Sequence, residues 1–224
     1  MPLTTILFDA GGTLVRPNFQ RMADEFGADG VHSTATALAD ADRQFRVLFE
    51  QPGFERPTTD PWRHYLEHLT RCASLSPFPD AACERLRRYH DASNLWEDLM
   101  PGTIEALEQL APRYRLGVVS NANGTVRALM ARLGLDRFFD MVVDSQEEGV
   151  QKPDPRLFAL ACEGLGADPR TTLMVGDDRR ADGGAAALGC GLHFVDHLPV
   201  TERPDGLLAV LDLVDGAREN ATGK

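Results

Sequence analysis

A short apolar run, Leu3 and then Ile6 to Phe8, ends on Asp9 and a Gly11-Gly12 turn, the pattern of a buried strand that presents one carboxylate at its end. From about residue 16 to 97 no period-2 alternation stands out, and apolar residues recur at helical spacing instead. Leu38, Ala41, Phe45, Leu48 and Phe49 form one stripe, Trp62, Tyr65, Leu66 and Leu69 a second, and Leu86 and Tyr89 part of a third. Breaks fall at Pro52-Gly53, Pro57, Pro77 and Pro79. From Pro101 the rhythm becomes helix, strand, helix. A helix through Ile104, Leu107 and Leu110 leads to a strand at Arg115 to Val119 that ends in Ser120-Asn121. Val126, Leu129, Met130 and Leu133 mark a helix that Gly134 closes, and Met141 to Val143 make a short strand. Asp154-Pro155 opens a helix through Leu157, Phe158, Ala161 and Leu165, and a strand at Thr171 to Val175 runs into Gly176-Asp177-Asp178. A helix through Ala185 to Leu188, a strand at Leu192 to Val195 and a helix through Leu207, Val210, Leu211 and Val214 complete the pattern, with Glu219 to Lys224 expected as a frayed tail. Alternation of this kind predicts an α/β fold, a Rossmann-like doubly wound parallel sheet interrupted by an all-helical insertion. The boundaries are about residues 1–15 and 98–224 for the sheet domain and about 16–97 for the insertion.

Composition narrows the partners. The 224 residues suffice for a sizeable core, and a net charge of -11, from 34 acids against 23 bases, argues against a broad nucleic-acid surface. A local basic pocket for one phosphate remains compatible with it. The longest apolar runs are strand length, well short of the ~20 residues of a membrane span. With neither a basic flank nor a cleavage signal in Met1 to Thr5, the expectation is a cytoplasmic protein, monomer or homodimer, whose partner is a small molecule. Cys72, Cys83, Cys162 and Cys190 are scattered without a C-x-x-C pair and read as reduced, mostly buried thiols.

In a doubly wound sheet, ligands bind beyond the carboxyl ends of the strands. Those ends carry Asp9, Ser120-Asn121 and Asp177-Asp178 with Asp182 close behind, while Lys152-Pro153 precedes the helix after the third strand. Carboxylates gathered there repel one another unless a cation intervenes, and hard oxygen ligands with free positions suit Mg²⁺. Taken singly, Ser120 could cap the next helix and Asp182 could sit in a first turn.

The four segments together resemble the motifs of the haloacid dehalogenase superfamily of hydrolases. Asp9-Ala10-Gly11-Gly12-Thr13-Leu14 is similar to that family's D-x-D-G-T-L at every defined place but the second Asp. Val118-Val119-Ser120-Asn121, Lys152-Pro153-Asp154-Pro155 and Gly176-Asp177-Asp178-Arg179-Arg180-Ala181-Asp182 follow as the second, third and fourth motifs, and the helical insertion resembles the family's cap over the site.

The resemblance implies phosphoryl transfer from a small phosphorylated metabolite through an aspartyl-phosphate. Asp9 is expected as nucleophile, with its carboxylate, the Gly11 carbonyl and Asp177 holding Mg²⁺. Ser120 and the Asn121 backbone are expected to donate to the phosphoryl oxygens, and Lys152 to offset the repulsion between Asp9 and phosphate. Asp182 is expected to orient Lys152 or a metal-bound water, and Asp178 to play a supporting role at most. Gly11 stands where the family's phosphatases carry the acid that protonates the leaving oxygen, a group typically worth ~10²–10⁴ in rate. Three explanations are open: a substitute acid, a substrate whose leaving group needs no proton, or a phospho-ligand-binding protein with little turnover. Haloacid dehalogenases also lack that Asp, because halide leaves without a proton, but this chain keeps the G-D-x-x-x-x-D metal motif. His64 and His68, at i and i+4, are expected on a partly exposed helix face rather than around zinc, His193 and His197 to flank the last strand, and Arg179-Arg180 to sit at the surface.

Overall fold

The structure, a computed structural model, describes residues 2–55, 59–195 and 206–222. The first apolar run forms β1 (Thr5–Phe8), buried at all four positions. The chain then turns at Gly12, whose φ of 80° is the left-handed region that favours a residue without Cβ, into the two-residue β2 (Val15–Arg16). Four helices follow: α1 (Phe19–Ala28), α2 (Ala35–Phe49), α3 (Pro61–Cys72) and α4 (Asp80–Ser93). After β3 (Asp98–Leu99) come α5 (Thr103–Leu110), β4 (Arg115–Ser120), α6 (Val126–Arg132), β5 (Met141–Asp144), α7 (Ser145–Glu148) and α8 (Pro155–Leu165). The last elements are β6 (Thr172–Gly176), a 3-10 segment over Asp182–Leu188, β7 (Gly191–Phe194) and α9 (Ala209–Thr222).

The described chain divides into two compact units, one of residues up to Arg16 and from Glu97 onward, the other of Pro17–Trp96. The first holds a five-stranded sheet in the order β5-β4-β1-β6-β7, parallel throughout, with β2 and β3 as a separate antiparallel pair. One part of its core joins Leu7, Val119, Val143 and Met174 on the strands to Leu157, Phe158, Ala161 and Leu165 on α8. Asp154 starts α8 by accepting from Arg156 N–H at 2.9 Å, with Pro155 in the first turn, as the Asp-Pro pair predicts. The second unit packs Phe19, Met22 and Phe26 of α1, Leu38 and Ala41 of α2, Leu66 and Leu69 of α3 and Leu86 of α4 into one buried cluster.

Several expectations are corrected in detail. Helix α1, with Phe19, Met22, Ala23 and Phe26 buried at i, i+3, i+4, i+7, adds a fourth helix to the three stripes read from the sequence. The β2 and β3 pair was not expected, because two residues carry no readable period. Leu48, at the far end of the stripe with Leu38, Ala41 and Phe45, is 41% exposed where those three are buried. The expected helix at Ala185 to Leu188 is a 3-10 segment that begins at Asp182, and helix α9 continues through Glu219 to Thr222, where fraying was expected. Pro57 and His197 lie outside the described residues.

Candidate active site

The central strand β1 lies between β4 and β6, with Phe8 opposite both Val118 and Val175. All three strands point the same way, so the residues that leave them, Asp9, Ser120-Asn121 and Asp177, emerge at one edge of the sheet. Asp9 stays anchored to the sheet, its N–H donating to the Val175 carbonyl at 2.9 Å.

At that edge the Lys152 ammonium donates to Asp9 Oδ1 at 2.6 Å and to Asp182 Oδ1 at 2.7 Å. All three side chains are buried, and Asp182 is fully so. The second oxygen of Asp182 accepts from the backbone N–H groups of Asp177 at 3.1 Å and Asp178 at 3.0 Å. This close approach depends on Gly176: a Cβ there would stand 2.1 Å from Asp182 Oδ2. Asp9, Asp177 and Asp182 each bring one carboxylate oxygen within 4.8 Å of the others, the one such group of three metal-capable side chains among the described residues.

Two carboxylates share the Lys152 ammonium and a third, Asp177, stands beside them, all buried, and the acid strengths record that burial. Burial pushes Asp9 up to about 6, with Lys152 pulling the other way and the Asp177 charge adding to the rise. Burial likewise raises Asp182 to about 6, against the pull of Lys152 and with a further push from Asp9. For Lys152 burial acts to lower the value, but Asp9 and Asp182 outweigh it and hold the ammonium charged, well above the usual lysine range.

The other expected residues fall as follows. Ser120 ends β4, buried, and pairs across the ladder with Asp144. Asn121 touches Lys152 through its side chain: Oδ1 accepts from the Lys152 N–H at 2.7 Å and Nδ2 donates to the Lys152 carbonyl at 3.0 Å. Gly11 sits in the turn after Asp9, bridged to Val15. Asp178 Oδ1 accepts from the N–H groups of Arg180 at 2.9 Å and Ala181 at 3.1 Å, which makes it a cap of its own turn. Arg179 and Arg180 are exposed, and the Arg179 guanidinium lies 4.7 Å from the Phe194 ring centre. In the helical unit, the His64 and His68 rings lie 4.1 Å apart, tilted by 42° to one another, both against Phe45 and Phe54, and neither belongs to a group of three metal-capable side chains among the described residues.

Sequence reasoning missed two contributors. Asp144, fully buried at the end of β5, accepts from Gly124 N–H at 3.0 Å, Val126 N–H at 3.3 Å and Gln146 N–H at 2.9 Å, so it fixes the loop that follows Ser120. An acid next to Ser145 after an apolar strand was a readable cap signal. The side chain of Asn121 is the other, since only its backbone had been assigned a part.

The family model of haloacid dehalogenase-like hydrolases matches residues 3–189. The glyceraldehyde 3-phosphate phosphatase of Methanopyrus kandleri is 28% identical over 184 residues, 78% of this chain and 76% of that one. The (S)-2-haloacid dehalogenase 4A of Burkholderia cepacia is 30% identical over 203 residues, 84% of this chain and 80% of that one. Among solved structures, the HAD-hydrolase YfnB of Bacillus subtilis aligns with a TM-score of 0.63 at 21% identity, over 89% of this chain and 90% of that chain, a likeness of fold.

Proposed function

This chain belongs to the haloacid dehalogenase-like hydrolase family, and from that premise we propose that it is a Mg²⁺-dependent phosphatase of small phosphorylated metabolites. Asp9 is the nucleophile in this reading, and residues 16–97 form the helical cap that selects the substrate. The observation that carries the proposal is the Lys152 ammonium held 2.6 Å from Asp9 and 2.7 Å from Asp182, beside the third carboxylate, Asp177.

The donor set fits the metal. Both oxygens of Asp182 already accept hydrogen bonds, from Lys152 and from two backbone amides. In this reading Asp9, Asp177 and the Gly11 carbonyl would hold Mg²⁺ with hard oxygen ligands, as the family resemblance implies. The ion supplies charge neutralisation for the phosphoryl oxygens. Asp9 forms a bond to phosphorus as the bond to the leaving oxygen breaks, and water then opens the acyl-phosphate to return the carboxylate and inorganic phosphate. Ser120 Oγ and the Asn121 N–H donate to the phosphoryl oxygens, while Lys152 lowers the repulsion that Asp9 and phosphate would otherwise meet.

With Gly11 in place of an acid, departure of the leaving oxygen is unaided, so aryl and acyl phosphates are hydrolysed ahead of alkyl phosphates. The test is hydrolysis of p-nitrophenyl phosphate with Mg²⁺: Asp9→Asn is expected to lower kcat by about 10³ or more. Unchanged turnover in that variant rejects Asp9 as nucleophile. If the wild type turns over nothing, yet Mg²⁺ with orthovanadate raises its Tm, a phospho-ligand-binding role without hydrolysis replaces this one. Gly11, together with the 30% identity to the Burkholderia cepacia dehalogenase, favours a second reading in which Asp9 displaces halide from a 2-haloacid. Chloride release from 2-chloropropionate would select it.

A further inference from the structure

We propose that the side chain of Asn121 is a positioning residue that sets where the Lys152 ammonium sits, an inference that deepens the phosphatase reading and rests on it for its catalytic consequence. The Asn121 carboxamide is engaged at both ends by one residue, accepting from the Lys152 N–H at 2.7 Å and donating to the Lys152 carbonyl at 3.0 Å. Such a flat, two-bond match to the two backbone groups of a single residue fixes both its position and its rotation, as a neighbouring strand would. Lysine needs that help more than most residues. Its charge rides on a flexible four-carbon stem, and holding the ammonium at hydrogen-bond distance from both Asp9 and Asp182 requires a fixed Cα.

Asn121 can act as a fixed point because its own backbone is tied down. It follows Ser120 directly at the end of β4, and the next residues are held by Ala122 N–H to Ser145 Oγ at 3.1 Å and by the Asp144 carboxylate on Gly124 and Val126. Gly184 closes the other side of the Lys152-Pro153 segment, where a Cβ would meet the Pro153 carbonyl oxygen at 2.1 Å. Lys152 is thus gripped through its backbone by the Asn121 carboxamide, with Pro153 beside it closely packed on Gly184, while its side chain is gripped by two acids.

The experiment uses an accident of composition: Lys152 and Lys224 are the two lysines of the chain. Amine acylation by acetic anhydride, read by peptide mass spectrometry, therefore reports Lys152 against the Lys224 and α-amino controls. In the wild type, Lys152 should react slowly because it is buried and doubly paired. Asn121→Ala, which removes both hydrogen bonds, should speed its acylation about tenfold or more and lower kcat on p-nitrophenyl phosphate by a similar factor with little change in KM. Asn121→Asp keeps the acceptor for the Lys152 N–H and loses the donor, and should fall between the two. Leu110→Ala, in the buried face of α5 away from the site, serves as a control of matched instability and should leave Lys152 protected. Unchanged Lys152 acylation in Asn121→Ala overturns the proposal, as does equal acylation in Leu110→Ala at the same Tm. Faster acylation with unchanged turnover overturns the catalytic consequence. A wild type with no phosphatase activity counts against the functional reading, while the acylation arm still decides whether Asn121 holds Lys152.

Discussion

The two units of the chain use charge in opposite ways. In the helical unit, Arg63 pairs with Glu67 and Asp80, Arg85 with Glu25 and Asp29, and Arg87 with Asp60, all across partly exposed surfaces. Its interior is apolar and aromatic, apart from such groups as Asp42, which accepts from Tyr65 Oη at 2.8 Å and Arg46 Nε at 2.8 Å. In the sheet unit, Asp9, Lys152, Asp177 and Asp182 are all buried where the strands end. Surface pairs gain little because water screens them, whereas buried charges interact strongly but cost much to desolvate. Buried acids that outnumber their one cation at a strand end are poor material for stability, and groups of this kind gather at functional sites.

The sharpest way to break this contrast is Lys152→Met. Three acids then face one another without their cation, and the expected loss is about 3–5 kcal/mol of stability near neutral pH by urea denaturation, together with loss of phosphatase turnover. The deficit should shrink as pH falls, because protonation of Asp9 and Asp182 removes the repulsion. A variant as stable as the wild type at pH 7 would mean that the acids are not charged together.

A smaller effect is the pH dependence of the metal-free wild type. Asp9 and Asp182 rise from the usual 3.8 to about 6 on folding, so between those values the folded chain holds protons that the unfolded chain has released. Their contribution is full below about pH 4 and is lost as pH rises through about 6, by on the order of 3 kcal/mol for each carboxylate. Tm measured from pH 4 to 7 without metal should carry this downward component, and Mg²⁺ should offset it at the upper end by taking the place of the protons. Asp9→Asn should remove the Asp9 share. A wild-type profile that matches that of Asp9→Asn would reject the assignment.

The smallest effect belongs to the helical unit. Arg87→Ala removes a guanidinium nitrogen that donates to both Asp60 oxygens, at 2.6 and 2.7 Å, yet the pair is partly exposed. Its loss is expected to cost no more than about 1 kcal/mol, less at high salt, and to leave kcat on p-nitrophenyl phosphate unchanged. A loss as large as that of Lys152→Met would erase the distinction between the units.

Much of the fold was legible in the sequence. Strands β1, β4 and β6 announce themselves as short apolar runs because both of their faces are covered, and α8 because Asp154, Pro155 and its stripe agree. Helix α1 carries a comparable local signal, an Asn18 cap whose Oδ1 accepts from Arg21 N–H at 2.9 Å followed by apolar residues at i, i+3, i+4 and i+7. The exposure of Leu48 was not legible, since period marks a face but not where cover ends along a helix.

For the site, the sequence by itself determined the inventory: which acids, amide and amine stand at strand ends, and that Gly11 leaves one acid out. Only the tertiary structure decided how they combine. The placement of β1 between β4 and β6 brings residues 9, 121, 152, 177 and 182 together from opposite ends of the chain, and pairing Lys152 with two acids at once depends on that order. The raised values of Asp9 and Asp182 depend on burial, a property of everything packed around them. A local pattern records what each residue can do, because backbone geometry and periodicity are short-range. Desolvation and the convergence of charges are sums over distant segments, and no stretch of sequence contains them.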